Sequence, residues 1–146
     1  MKADNYAKIE FPSCSANESF ARAAAACFAA QMDPTLDELN DIKTAVSEAV
    51  TNAIIHGYPN HLGRVVMRLA VRERDVLEIV VRDWGVGIPD VEKAREPMYT
   101  TGNEERSGMG FTIMESFMDT LRVRSMPGKG TVVTMKKRII RRGGGV

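Results

Sequence analysis

The long stretch from Asp83 to Ser107 carries neither a helical nor a strand pattern, and it constrains the fold more than any other feature of the sequence. Glycines and prolines replace periodic apolar residues throughout it. A structureless segment of this length inside a compact domain is typical of a functional lid. We therefore expect a domain in which this segment covers a binding site.

Regular patterns precede the irregular stretch. The sequence predicts a short edge strand over 6–11, followed by an alanine-rich helix over 18–30 that Asn17 caps. Asp at a helix cap and Pro at the first helical position are typical of a helix start, so Asp33–Pro34 predicts a second helix. Its apolar positions recur with helical period, and we expect it to continue to about His56.

Paired strands account for most of the remaining chain. Alternating apolar residues predict a hairpin from strands over 63–72 and 76–82. After the irregular stretch we expect a short helix over 110–118 and two further strands over 120–125 and 131–138. This order predicts the α+β class: a two-layer α/β sandwich with a mostly antiparallel mixed sheet, helices on one face and a lid.

Length and composition favour a single domain over 1–146, with a frayed tail over 139–146. Lys and Arg number 20 and Asp and Glu 19, which leaves a net charge of +1 and no general attraction to nucleic acid or membranes. No apolar run approaches the roughly 18 residues of a membrane span, and no signal segment follows the N-terminus. Two cysteines without metal-ligand spacing are typical of reduced thiols, so we expect a cytoplasmic protein.

The second predicted helix carries an acid and an amide on one face. Glu48 and Asn52 are four residues apart, so they lie one above the other at the edge of the apolar stripe. An amide oxygen suits Mg²⁺, which binds few protein oxygens together with waters and phosphates. A carboxylate one turn away could act as a general base on a hydroxyl. Taken alone, the pair is explained more simply as two polar residues on a solvated face.

An Asp-x-Gly-x-Gly motif ends the predicted strand before the lid. The carboxylate of Asp83 could accept a hydrogen bond from an exocyclic amine such as that of adenine. Gly85 and Gly87 would let the backbone approach a flat ring closely. A simple turn, with the aspartate bonded to its own loop, remains open as an alternative.

A second glycine-rich segment directly precedes the short predicted helix. Ser107, Gly108, Met109 and Gly110 leave the first helical amides exposed, which forms an anion site suited to a triphosphate. Arg106 could add a charge-assisted bond to a phosphate oxygen. A flexible turn with an ordinary cap remains the alternative.

A Gly-Lys-Gly-Thr turn leads into the last predicted strand. Thr131 could bond toward a nucleotide base, although a plain hairpin explains the turn as well. The segment lacks the spacing of a P-loop, and neither glycine pair extends to the third glycine of a dinucleotide site. No zinc-ligand pattern is present in the sequence.

The order of these motifs over about 42–133 resembles the GHKL ATP-binding family of gyrase, Hsp90, histidine kinases and MutL. The resemblance implies that Asn52 coordinates Mg²⁺, that Glu48 acts at the nucleophile and that Asp83 reads adenine. It also implies that Gly85 and Gly87 form the floor of the base pocket. Gly108 and Gly110 would surround the phosphates.

Two longer segments, 47–58 and 105–115, together with Thr100 and Thr101, resemble the anti-sigma serine kinases of spore-forming bacteria. The anti-sigma-F group matches best, and the general-stress group is second. The resemblance implies a homodimer that blocks a sigma factor, sigma-F first, and uses ATP to phosphorylate a serine of an anti-anti-sigma protein. It also implies that the block is released or restored according to whether ATP or ADP is bound. Many relatives carry a lysine or a longer lid after the threonines, which favours Arg106 as the phosphate contact here.

Two alternatives to the anti-sigma kinase remain. One is an isolated ATP-binding domain of a histidine kinase, although the first 30 residues lack a two-helix hairpin with a phosphorylatable histidine. The other is a non-enzymatic module that binds ATP without transferring phosphate. Glu48 separates a kinase from such a module, because only a kinase needs its carboxylate for transfer.

Overall fold

The computed structural model describes residues 2–96 and 109–140, which form two layers. The strands are β1 (Asn5–Pro12), β2 (Arg64–Arg72), β3 (Val76–Asp83), β4 (Thr120–Met126) and β5 (Gly130–Arg138). The helices are α1 (Asn17–Ala29), α2 (Leu36–Asn52), α3 (Val91–Ala94) and α4 (Gly110–Phe117). A 3₁₀ turn over Ala30–Met32 follows α1, and a π-helical turn over Ala53–Gly57 continues α2.

The strands form one five-stranded sheet in the order β1-β2-β3-β5-β4. All pairings between these strands are antiparallel, so the described sheet is antiparallel throughout rather than mixed. The first strand lies at an edge, as its terminal Pro12 predicts, because proline cannot donate a ladder hydrogen bond. The α+β sandwich is therefore confirmed.

Alternation along the strands separates a covered face of the sheet from an open one. In β3, Leu77, Ile79 and Val81 are buried, whereas the intervening side chains are more exposed. The buried residues pack against the helical layer, which contributes Ile42 and Val46 from α2. Helices therefore cover one face, and the covered side of β3 ends at the position of Asp83.

The structure places the helix starts differently from the sequence-based prediction. Thr35 rather than Asp33 caps α2: the Glu38 amide donates to Thr35 Oγ1 at 3.1 Å, and Glu38 Oε1 accepts from the Thr35 amide at 2.9 Å. Asp33 adopts the left-handed conformation, with φ 56°, at the end of the 3₁₀ turn. Proline therefore precedes the cap instead of opening the helix.

The predicted cap of the first helix is also wrong. Asn17 is the first residue of α1, and its side-chain amide donates to the Pro12 carbonyl at 3.0 Å instead of capping the helix. The prediction identified a suitable residue type, but the cap position belongs to Ala16, one residue earlier, which has no capping side chain. Both errors concern element boundaries, whereas the two helices themselves are confirmed.

The C-terminal boundary needs one correction. Ile139 is fully buried, and its amide donates to the Asp75 carbonyl at 2.7 Å. This residue therefore belongs to the packed domain and not to the tail predicted over 139–146. Part of the predicted lid, 97–107, lies outside the described residues.

Candidate nucleotide-binding cleft

A cleft opens between α2, the end of β3 and the start of α4. Its lining includes residues from both layers of the fold, so no single sequence motif builds it. The lining residues that bear on its chemistry are Asn52, His56, Gly57, Asp83, Gly87, Gly110 and Thr131. Ala49, Val81, Ile88, Phe111 and Val133 supply apolar surface between them. Such a mostly apolar cleft with few polar groups is typical of a small-molecule site.

Asp83 is the central polar group at one end of the cleft. It is 6% exposed, and its Oδ1 accepts a hydrogen bond from the Gly85 amide at 2.9 Å. Thr131, also buried, lies directly opposite it on β5. Burial raises the pKa of Asp83, and hydrogen bonds from the Gly85 and Thr131 amides oppose that rise. A desolvated acceptor in this position is suited to a neutral amine donor.

The loop after Asp83 is fixed by hydrogen bonds at several consecutive positions. The Trp84 amide donates to the Tyr58 hydroxyl at 2.7 Å, and the Val86 amide donates to the Gly57 carbonyl at 2.9 Å. Gly87 has φ 77°, a conformation that other residues rarely adopt. These hydrogen bonds and the Gly87 conformation together hold the backbone of this loop in place.

Close packing of two glycines brings the end of α2 onto this loop. A Cβ atom on Gly57 would lie 2.9 Å from Asp83 Cγ, and a Cβ atom on Gly85 would overlap the Gly57 carbonyl. The π-helical turn carries Gly57 to this position, and such turns occur frequently at functional sites. The sequence predicted Gly85 as part of the pocket floor, but it lies behind Asp83 and not among the lining residues.

Glu48, Asn52 and the start of α4 meet at the other end of the cleft. A Cβ atom on Gly110 would lie 3.2 Å from Asn52 Nδ2 and 3.3 Å from Glu48 Oε1. The first amides of any helix lack intrahelical partners, and Met109 provides no capping side chain. The first backbone N–H groups of α4, which can bind an anion, therefore lie beside two side chains. The amide oxygen of Asn52 can bind a cation, and the carboxylate of Glu48 can accept a proton.

Most of the predicted site residues that the structure describes converge on this cleft. Asn52, Asp83, Gly87, Gly110 and Thr131 line it. Glu48 is not among the lining residues but lies close to Gly110, which is one of them, and Met109 immediately precedes α4. The remaining predicted residues lie outside the described residues: Thr100, Thr101, Arg106, Ser107 and Gly108.

Sequence reasoning missed Gly57, Tyr58 and Ser125 as contributors to the site. Gly57 marked only the end of a helix, and no pattern distinguished the other two. The Tyr58 hydroxyl donates to the Arg64 carbonyl at 2.6 Å while it accepts from the Trp84 amide. Burial raises the pKa of Tyr58, so the hydroxyl stays protonated and can make both bonds.

Trp84, the single tryptophan of the chain, follows Asp83 directly. The guanidinium groups of Arg64 and Arg82 lie 3.8 and 4.6 Å from the centroid of its ring. Such contacts are attractive cation–π interactions. Because its backbone also belongs to the cleft loop, Trp84 provides a natural optical probe of this end of the cleft.

The oxygen-bearing side chains near the start of α4 suit a metal ion that is held mainly by the phosphates of a bound nucleotide rather than by the protein. Across residues 2–96 and 109–140, no three His, Cys, Asp or Glu side chains cluster as a metal cage would require. One amide oxygen beside an anion site is instead the arrangement that Mg²⁺ uses when phosphates and waters complete its shell. Asn52, the last residue of α2, lies beside the start of α4 and fits that arrangement. None of the helices in the described part of the chain is long and apolar enough to span a membrane.

Comparison with known protein families identifies the domain. Residues 11–137 match the family described as "Histidine kinase-like ATPase domain". The chain belongs to this family. Membership implies that the domain binds ATP or ADP, in agreement with the predicted resemblance.

Close relatives are named anti-sigma F factors. One from Pasteuria penetrans is 58% identical over 137 residues, which is 92% of this chain and 91% of the relative. Another, from Geobacillus stearothermophilus, is 58% identical over 134 residues, 91% of this chain and 92% of the relative. Within the ATPase family, the sequence therefore groups with the anti-sigma F factors.

Solved structures share the fold. The RsbU and RsbW domains of a Mycobacterium tuberculosis protein superpose with a TM-score of 0.66 at 20% identity, over 92% of this chain and 32% of that chain. A blue-light activated histidine kinase from Erythrobacter litoralis superposes with a TM-score of 0.58 at 27% identity, over 73% of this chain and 32% of that chain. The chain thus spans about a third of each of these longer proteins.

Proposed function

We propose that this protein is an anti-sigma factor that also acts as an ATP-dependent protein serine kinase. Its relatives named anti-sigma F factor support the first half of the proposal. The convergence of Glu48, Asn52 and the start of α4 at one end of the cleft, opposite Asp83, carries the second half. A nucleotide bound along the cleft would have its base at Asp83 and its phosphates at α4.

Each end of the cleft has a separate task in this proposal. The carboxylate of Asp83 accepts a hydrogen bond from the exocyclic amine of adenine, while Thr131 contributes its hydroxyl beside it. The first amides of α4 bind phosphate oxygens, assisted by the positive end of the helix dipole. Arg106, Ser107 and Gly108 precede this helix in sequence and extend the proposed phosphate site, and Thr100 and Thr101 belong to the proposed lid.

Phosphate transfer needs a base next to the incoming hydroxyl. Glu48 takes the proton of the substrate serine while the serine oxygen forms a bond to the γ-phosphorus of ATP. The bond between that phosphorus and the β,γ-bridging oxygen breaks, and ADP leaves with that oxygen. Proton transfer of this kind contributes about 10²–10⁴-fold to a rate. Asn52 would hold Mg²⁺, which would supply positive charge to offset that of the phosphates.

The proposed partners follow from the relatives. We propose that the protein acts in the cytoplasm as a homodimer, blocks a sigma factor of the sigma-F type, and phosphorylates an anti-anti-sigma protein. The name of the relatives supports a sigma factor as the target. The net charge of +1 agrees with action on proteins rather than directly on nucleic acid.

A phosphorylation assay tests the proposed activity. The protein is incubated with labelled ATP, Mg²⁺ and a candidate anti-anti-sigma protein, and label on serine is measured. We expect phosphoserine with the wild type, and transfer reduced by about 10²-fold or more with Glu48→Ala. Nucleotide affinity of Glu48→Ala should remain close to that of the wild type.

Asp37→Asn is a matched control, because Asp37 is an exposed acid on the same helix. It should leave transfer unchanged. Transfer by Glu48→Ala at the wild-type rate would refute the assigned base. Nucleotide binding without any phosphoserine would instead favour a non-enzymatic binding module.

A further inference from the structure

Ser125 joins two walls of the adenine end of the cleft through one hydroxyl group. Its Oγ accepts a hydrogen bond from the Ile88 amide at 2.7 Å, at the far end of the loop that begins with Asp83. The same oxygen lies 2.8 Å from Thr131 Oγ1 and 3.1 Å from the Gly130 carbonyl oxygen. Ser125 itself is not among the lining residues of the cleft.

The bonding capacity of a hydroxyl makes this arrangement specific. A serine hydroxyl has one hydrogen to donate and two lone pairs to accept with. The Ile88 amide occupies one lone pair, so the hydrogen of Ser125 goes either to the Gly130 carbonyl or to Thr131 Oγ1. If Ser125 donates to Thr131, the hydroxyl hydrogen of Thr131 is not used in this pair and can point into the cleft. If Thr131 donates to Ser125, the Thr131 oxygen is left as an acceptor.

In either arrangement, Thr131 Oγ1 is held by Ser125 and does not rotate freely. Thr131 is 8% exposed and lies opposite Asp83 in the register of β3 and β5. Ser125 lies opposite Thr131 in the register of β4 and β5. The three side chains therefore follow one another across the covered face of the sheet. Asp83 bonds to the loop near its start, at the Gly85 amide, and Ser125 bonds to it at the Ile88 end.

We propose that Ser125 is a positioning residue for nucleotide binding, which fixes the Thr131 hydroxyl and the Ile88 end of the loop in the geometry that receives adenine. This inference rests on the proposed nucleotide site and deepens it. Ser125 acts through Thr131 and Ile88 and does not contact the phosphate end. Its loss should therefore weaken binding without slowing the transfer step.

The test compares Ser125→Ala, Ser125→Thr and Ser125→Cys with the wild type. Affinities for ADP and ATP are measured by calorimetry, and KM for ATP and kcat are measured by phosphorylation. We expect Ser125→Ala to raise both dissociation constants by the same factor, about fivefold to tenfold, the weight of one net hydrogen bond. KM should rise in parallel, with kcat unchanged.

Conservative variants separate positioning from a general loss of structure. Ser125→Thr keeps the hydroxyl and should bind nucleotide within about twofold of the wild type, whereas Ser125→Cys keeps the size with a weaker donor and should fall between Thr and Ala. If the alanine variant does not fold, the comparison of cysteine with threonine carries the same test. Thr134→Ala, on β5 but outside the cleft lining, is the control and should change nothing.

Two results would overturn the role of Ser125. One is an unchanged affinity in both the alanine and cysteine variants. The other is a lower kcat with an unchanged KM, which would mean that the substitution only reduces the folded fraction. A wild-type protein that binds neither ADP nor ATP would overturn the nucleotide site itself, so failure of the site and failure of the Ser125 role are distinguishable.

Discussion

Gly57 lies directly against the carboxylate of Asp83. A Cβ atom on Gly57 would be 2.9 Å from Asp83 Cγ and 3.0 and 3.1 Å from its two oxygens. The carboxylate is buried and already bonded to the Gly85 amide, so little space is available for it to move. The last turn of the helix that carries Asn52 therefore also determines where the proposed adenine acceptor lies.

Gly57→Ala should weaken nucleotide binding without unfolding the protein. The added methyl group would displace the Asp83 carboxylate, and we expect ATP affinity to fall by about tenfold, equivalent to about 1.4 kcal/mol. Calorimetry measures the affinity, and circular dichroism checks the fold. Ile55→Ala changes an exposed residue in the same turn and should bind ATP normally. Equal affinity of Gly57→Ala and wild type would contradict the steric role of Gly57.

The raised pKa of Asp83 predicts a pH-dependent cost in stability. Burial disfavours the charged form in the folded protein, so the folded pKa lies above the ordinary value of 3.8. The group therefore contributes stability at low pH that is lost as pH rises through the folded pKa. At neutral pH, the buried carboxylate lowers the free energy of unfolding relative to the same group in its neutral form.

Asp83→Asn should reveal this cost. Urea unfolding of wild type and variant is measured from neutral pH down toward the ordinary carboxyl pKa of 3.8, because a raised pKa acts above that value. We expect the free energy of unfolding of the wild type to rise relative to that of the variant as pH falls. ATP binding should be lost in the variant, because an amide presents one acceptor oxygen where the carboxylate presents two. A pH-independent difference in stability would argue against a raised pKa.

The predicted site residues that the structure brings to the cleft share a simple basis. Asn52 follows from helical period, and Asp83, Gly87 and Thr131 follow from glycine-rich turns at strand ends. Gly57, Tyr58 and Ser125 could not be located in this way, because their contacts join distant parts of the chain. Tyr58 bonds to the amide of residue 84, and Ser125 bonds to the amide of residue 88. Such pairs depend on register and packing, which a local pattern does not contain.

Helix caps show a related limit. Asp33, Pro34 and Thr35 all have residue types that favour a helix start, so composition alone does not rank them. The reciprocal bonds between Thr35 and Glu38 decide the position. A capping box with threonine three residues before glutamate was present in the sequence, and it would have identified the start correctly.

Substitutions at the two competing caps should differ in effect. Thr35→Ala removes the hydroxyl that accepts from the Glu38 amide, and should lower the free energy of unfolding by about 0.5–2 kcal/mol. Asp33→Gly should be nearly neutral or slightly stabilising, because Asp33 has φ 56° and glycine adopts that conformation readily. Chemical denaturation of both variants measures the difference. A larger loss from Asp33→Gly would favour the cap predicted from the sequence.

Tyr58→Phe should weaken the attachment of the cleft loop at Trp84, whereas Ser125 holds the loop at its other end, at Ile88. The substitution leaves the Trp84 amide and the Arg64 carbonyl without their shared partner. An unsatisfied buried polar group costs about 1–3 kcal/mol, so stability should fall by that order. Trp84 emission should shift as its backbone moves, whereas Tyr6→Phe, at an exposed tyrosine, should change neither signal. Unchanged stability and emission would mean that water replaces the hydroxyl without cost.

Two adjacent lysines on β5 should behave differently, because they point to opposite faces of the sheet. The Lys137 side chain is 12% exposed; its Nζ donates to the Phe117 carbonyl at 2.8 Å and lies 3.6 Å from Asp41 Oδ2. It therefore ties the end of α4 to β5 and α2. Lys136 is 47% exposed and pairs with Glu78 at 3.7 Å on the open face.

Lys137→Met should lower the free energy of unfolding by about 1–3 kcal/mol, the usual weight of a hydrogen bond from a charged group that leaves its acceptor unpaired. Lys136→Met should cost less than about 1 kcal/mol, as exposed ion pairs do. Because the other end of α4 meets Glu48 and Asn52, loss of Lys137 should also weaken ATP binding. Hydrogen exchange of the α4 amides locates the effect. Equal stability losses for the two lysines would show that α4 does not depend on this anchor.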